Sequence, residues 1–143
     1  IQQIEWAKHY NLPIAIHVRD SFTEAIEIIE KLNDKNLRGV FHCFTGNMAD
    51  AQRVINLGGF YLGIGGVLTF KNSGLDNTIK EIDIAHLILE TDSPYLTPSP
   101  FRGKRNESKY ILNIAEKLAE VHQISMEKVA KITTKNAKQL FDL

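Results

Sequence analysis

PIAIHVRD (residues 13–20), VFHCFTG (40–46) and LILETDSP (87–94) are the stretches whose reading decides the fold. In each, an apolar run of strand length leads into a side chain that can ligate a metal ion: His17, His42 and Asp92. In the first run Ile14, Ile16 and Val18 alternate with Ala15, His17 and Arg19. One set then faces a layer of helices and the other a barrel interior. Buried parallel strands that deliver polar groups from their C-terminal ends are the layout of sites on α/β barrels.

The segments flanking these runs have helical spacing. Ile1, Ile4, Ala7 and Tyr10 share a face, and Pro13 follows soon after Asn11. Ser21 and Glu24 form an S-x-x-E capping box ahead of a stripe of Phe22, Ala25, Ile26, Ile29 and Leu32. Residues 40–44 form the second strand. A helix over 48–57 is stopped by Gly58-Gly59. The third strand is 60–64, broken by Gly65-Gly66, and a weak helix starts near Gly74. The fourth strand is 86–91, followed by a loop with Pro94, Pro98 and Pro100. Asn106 is placed to cap a long helix with the stripe Ile111, Leu112, Ala115, Leu118, Ala119 and His122. Two short helices, over 125–133 and 134–141, close the chain. The alternation of strand and helix predicts a parallel sheet with right-handed crossovers. Four such strands make either half of an eight-stranded barrel or a small open sheet.

Composition sets outer bounds. The 143 residues suit one domain, and 43% hydrophobic residues suffice for a core. The 17 basic and 17 acidic residues balance, so any contact with nucleic acid must come from a local basic patch. The single cysteine, Cys43, excludes an internal disulfide and fits a reducing, cytoplasmic compartment. No apolar run approaches the ~20 residues that cross a bilayer. The opening IQQIEWAKHYN has no capping signal before it and reads as the continuation of a helix, as in the C-terminal part of a longer protein.

The motifs taken in order resemble the TatD family of metal-dependent deoxyribonucleases, from about residue 3 to 141. The matching pieces are IH-x-R at 16–19, HCFTG at 42–46, ETDSPYL at 90–96 and RGKRNE at 102–107, with Asn136-Ala137 and Leu140-Phe141 at the close. The resemblance implies an α/β fold, the C-terminal half of a TIM-type (β/α)8 barrel of the metal-dependent hydrolase superfamily. The four strands would be its fifth to eighth, and the N-terminal half is absent from this sequence. It implies His17 and His42 as ligands of one metal ion. Asp92 would belong to a second metal site or hold the attacking water. It also implies two divalent ions (Mg, Mn or Zn) in the complete protein. The family's D-x-H-x-H and G-E-I-G-L-D strands, which supply the other ligands, are not in this sequence. At Ser108 the family often has Pro, a departure that should only soften the helix start.

Such ligands suit phosphodiester hydrolysis, in which two metal ions about 3.5–4 Å apart activate the nucleophile and stabilise charge on both oxygens. Each residue also has an alternative reading. His17 and His42 fit satisfied core histidines, and Asp92 fits a cap on the turn at Ser93-Pro94. Glu90 points the same way as Asp92, either as partner to a ligand or in a salt bridge with Arg19. Arg19 clamps a phosphate or orients Glu90. Arg102, Lys104 and Arg105 bind substrate phosphates or form a solvated charged loop. Thr45, Asn47 and Lys71 lie on loops of the same face, and Tyr95 or Phe70 either stacks a base or packs. Cys43 should face the helices as an inert thiol.

The leading expectation is a DNA-cleaving hydrolase of exonuclease type, with DNA as substrate and no membrane partner. The alternatives are an amidohydrolase-like enzyme acting on small esters or amides, and a catalytically inert half barrel. A half barrel standing alone exposes two sheet edges, which predicts a homodimer.

Overall fold

Short runs rich in branched and aromatic residues pair side by side in chain order, because each is followed by an amphipathic segment long enough to cross back over the sheet. The computed structural model describes residues 1–143. Its elements are α1 (Gln2–Tyr10), β1 (Ile14–His17), α2 (Phe22–Leu32), β2 (Gly39–His42), α3 (Met48–Asn56), β3 (Phe60–Ile64), α4 (Leu75–Lys80), β4 (Leu87–Leu89), α5 (Ile111–His122) and α6 (Met126–Phe141). The sheet order is β1-β2-β3-β4, every pair is parallel, and His17 lies opposite His42 in the register.

The two sheet faces differ as the alternation requires. Phe41, Phe60, Leu62, Ile64 and Leu87 join residues from all six helices, such as Ile4, Ile26, Val54, Ile79, Leu118 and Val129, in one buried core. The opposite face carries Ala15, His17, Val40, His42 and Ile88. There Val40 and Ile88 are covered by Leu140. Asn136 ties α6 to the sheet by donating to the carbonyls of Ile84 and Leu87 at 3.0 and 2.8 Å. Ala15 and His17 on β1 stay exposed. The outer edges of β1 and β4 have no strand partner.

Several elements depart from the sequence reading. β1 stops at His17, short of 18, and β2 at His42, short of 44, where Cys43 turns into the left-handed region with φ 49°. β4 is shortened at its start by a 3-10 turn over Ile84–His86, in which Asp83 accepts from the Ala85 N–H. A further 3-10 turn, Gly66–Thr69, follows the Gly65-Gly66 break. The Ser21-Glu24 capping box does not form: Ser21 Oγ lies 3.4 Å from the Arg19 carbonyl oxygen instead. Tyr10 and Ile1 are exposed, leaving Ile4 and Ala7 as the buried face of α1.

Asn106 does not cap the long helix. It is buried and braces the preceding loop, and α5 begins at Ile111 after a 3-10 turn. Leu112 is exposed and Ile114 takes its expected place in the core. The last two helices are one: Thr133 Oγ1 donates back to the Val129 carbonyl inside the continuous α6.

Candidate metal centre

His42 ends β2, and the chain turns at once through Cys43. The same ladder carries on one step beyond the strands. Phe44 N–H donates to the Gly63 carbonyl at 2.9 Å, and Glu90 N–H to the Ile64 carbonyl at 3.0 Å. These bonds bring the C-terminal ends of β2, β3 and β4 together. Glu90 Oε1 lies 2.8 Å from His42 Nδ1 and 2.8 Å from the Cys43 main-chain nitrogen. On the other side of the ring, His42 Nε2 is 3.5 Å from Asp92 Oδ1. The His17 ring faces the His42 ring, with centroids 5.5 Å apart and planes tilted by 33°.

Burial governs the electrostatics. It pushes the Glu90 carboxyl above its ordinary range, against the opposing pull of His42 and of the Cys43 N–H. The Cys43 thiol is pushed up to about 11, first by burial and then by the charges of Glu90 and Asp92. The thiol lies in the cleft lined by Phe22 and Thr23 of α2, close enough to Glu90 and Asp92 to feel their charge. It is inert as a nucleophile at neutral pH.

The structure brings His42, Glu90 and Asp92 together with His17 beside them. It does not bring Arg19 to Glu90. The Arg19 side chain is 87% exposed and its ion pair is with Asp20, at 3.9 Å, so the Arg19–Glu90 salt bridge is absent. The reason is local: the chain leaves β1 at His17, and Asp20 adopts φ 58°, which carries Arg19 outward.

Imidazole nitrogen and carboxylate oxygen form a donor set that suits borderline divalent ions such as Zn or Mn. With Nδ1 engaged by Glu90, Nε2 of His42 is the atom left to meet an ion next to Asp92, and the residues present fit such a group. They form only part of a shell: no three imidazole, thiol or carboxylate side chains converge closely enough to hold an ion by themselves.

The loop after β4 forms the wall of this end. Asn106 Nδ2 donates to the carbonyls of Thr91 and Tyr95 at 2.7 and 2.6 Å, which pins the loop on both sides of Asp92. Sequence reasoning missed this brace, because Asn before a helical stripe carries the same signal as an N-cap. Arg102 lays its guanidinium 3.7 Å from the centre of the Phe70 ring and donates to the Thr97 carbonyl. Phe70 is thereby occupied and not free for a base, whereas Tyr95 is 70% exposed. Lys104 and Arg105 are exposed on the same loop, and Lys71 and Thr45 are exposed on neighbouring ones. Asn47 instead caps α3 in a reciprocal box with Asp50, a signal present in the sequence as N-x-x-D. A cleft of about 530 Å³ between the loops after β1 and β2 reaches His42 and Cys43 but not Asp92.

Residues 1–142 match the model of a family described as TatD related DNase. The chain is 45% identical over 140 residues to YabD of Bacillus subtilis, named an uncharacterized metal-dependent hydrolase, covering 97% of this chain and 54% of that protein. It is 33% identical over 144 residues to the similarly named YcfH of Escherichia coli K12, covering 100% of this chain and 54% of the relative. Among solved structures, the TatD homologue YJJV of Escherichia coli K12 superposes with a TM-score of 0.92 at 27% identity, over 99% of this chain and 54% of that one. A TatD family hydrolase from Entamoeba histolytica shares the fold with a TM-score of 0.82 at 23% identity, over 98% and 54%. The chain thus spans about half the length of the relatives it matches, as a partial barrel does.

Proposed function

The chain belongs to the TatD-related DNase family, and from that premise we propose that it carries part of the active site of a metal-dependent hydrolase that cleaves phosphodiester bonds of DNA, as an exonuclease. The observation that carries this reading is His42 held between Glu90 and Asp92 at the C-terminal ends of parallel strands, with the His17 ring beside it. The four strands correspond to the fifth to eighth of the family barrel.

In this reading His17 and His42 would hold a divalent ion through ring nitrogens, and Asp92 would either belong to a second ion's site or hold the attacking water. Ions bound there supply an activated nucleophile and neutralise charge on the scissile phosphate. In the second role Asp92 would orient the water and take its proton as the water oxygen bonds to phosphorus, while the P–O bond to the leaving nucleotide breaks and the leaving oxygen takes a proton from solvent. Arg102, Lys104 and Arg105 hold backbone phosphates without reading sequence. Arg102 is suited to this because Phe70 and the Thr97 carbonyl already fix its guanidinium plane.

The test is nucleotide release from an end-labelled single-stranded oligonucleotide with added manganese. Release should be lost in Asp92→Ala. Turnover of small esters with no release from DNA would favour an amidohydrolase-like activity instead. A second reading has its own support: the want of a three-donor group favours a half barrel that binds no ion when it stands alone. For that case the free edges of β1 and β4 favour a homodimer.

A further inference from the structure

We infer that Glu90 is a positioning residue that fixes the His42 imidazole as its Nδ1–H tautomer and turns the Nε2 lone pair toward Asp92. The inference deepens the metal-site reading above and rests on it for its purpose, though not for its geometry. A neutral imidazole has one N–H to give. Glu90 Oε1 at 2.8 Å is a hydrogen-bond acceptor for Nδ1, whereas Asp92 Oδ1, at 3.5 Å from Nε2, is at the limit of one. The proton therefore belongs on Nδ1. The ring nitrogen that bears no proton is the one a metal ion can use, and the opposite N–H is what a supporting carboxylate usually holds.

Three features of the fold hold Glu90 in place for this role. Its main-chain N–H extends the ladder to Ile64, so its side chain projects from the same face as His42. The Cys43 N–H, rotated by the left-handed turn, donates to the same Oε1. Gly63, on the strand between them, leaves the room: a Cβ there would lie 2.2 Å from Glu90 Oε2 and 3.2 Å from His42 Cα. A side chain at position 63 would force the Glu90 carboxylate to shift. Arg19, the other expected partner of Glu90, is turned away into solvent.

The experiment is a long-range ¹H–¹⁵N correlation on metal-free, ¹⁵N-histidine-labelled protein in mildly alkaline solution, which reads the tautomer of each ring directly. His42 of the parent chain should show the Nδ1–H pattern. Glu90→Ala should convert it to Nε2–H, donated toward Asp92. Glu90→Gln should keep Nδ1–H, because the amide oxygen still accepts, and this separates positioning from mere folding. Gly63→Ala should reproduce the Glu90→Ala spectrum with the glutamate still present. An Nε2–H pattern in the parent chain, or a tautomer unchanged in both Glu90→Ala and Gly63→Ala, would overturn the inference. Zinc titration of the same proteins tests the metal reading separately. Glu90→Ala should weaken binding about 10–100-fold, with Glu90→Gln near the parent. If the tautomer follows Glu90 while the parent chain takes no zinc, the chain holds no ion by itself and the positioning role stands.

Discussion

A thiol that is part buried and near two carboxylates resists ionisation, and Cys43 is such a thiol. Its folded pKa is raised from 9.0 to about 11. The proton it keeps therefore contributes stability that is fully present below about pH 9 and is lost as pH rises through 11. Native protein at pH 8 should react with an aromatic disulfide far more slowly than urea-unfolded protein, and denaturation midpoints should fall between pH 9 and 11. Cys43→Ala should flatten that alkaline limb; an identical limb in the variant would remove Cys43 as its cause. The histidines make the complementary case. His42→Ala and His17→Ala should each lower zinc or manganese affinity by at least the about 10–100-fold typical of losing an outer partner, while circular dichroism stays that of the parent. Unchanged metal uptake in both variants would refute their assignment as ligands.

At the scale of elements, the strands and the site were legible where periodicity and chemistry coincide. β3 runs over Phe60–Ile64 as its apolar run predicts, and His42 and Asp92 meet across the end of β3, where Gly63 carries no side chain to keep them apart. What was not legible depends on distant partners. Asn106 reads as a cap, yet its amide is captured by the carbonyls of Thr91 and Tyr95. The Thr133-Thr134 pair reads as a break, yet Thr133 satisfies its hydroxyl inside α6. Glu90 has two plausible partners in the sequence, and only the outward turn after His17 decides between Arg19 and His42. The brace predicts its own test. Asn106→Ala strands two carbonyls and should lower unfolding stability by about 1–3 kcal/mol, with faster hydrogen exchange over residues 91–107. Equal exchange there would mean that the loop is held by other contacts. Leu62 is fully buried at the centre of the sheet, so Leu62→Ala should lower stability by about 2–5 kcal/mol in urea titration.

The whole molecule is a sheet covered by helices on one face, with no strand partner at either edge; on the other face the end of α6 covers Val40 and Ile88 and β1 stays exposed. Beside β4 an apolar groove of about 420 Å³ runs between α5 and α6, and Trp6 and Tyr10 of α1 are exposed beyond the opposite edge. No helix is long and apolar enough to cross a membrane. Unpaired edges with nearby apolar surface favour pairing of chains, so sedimentation velocity of this 143-residue chain should show concentration-dependent dimers. A monodisperse monomer over a hundredfold concentration range would contradict that. Such pairing also bears on function, since the donors of one chain form only part of a metal shell. The most direct test of the central claim is manganese-dependent nucleotide release from single-stranded DNA by the chain and its Asp92→Ala variant. Release that requires metal and disappears with Asp92 is the predicted result. Release that ignores Asp92 would contradict it, whereas none from the parent chain at any metal concentration would favour the inert half barrel.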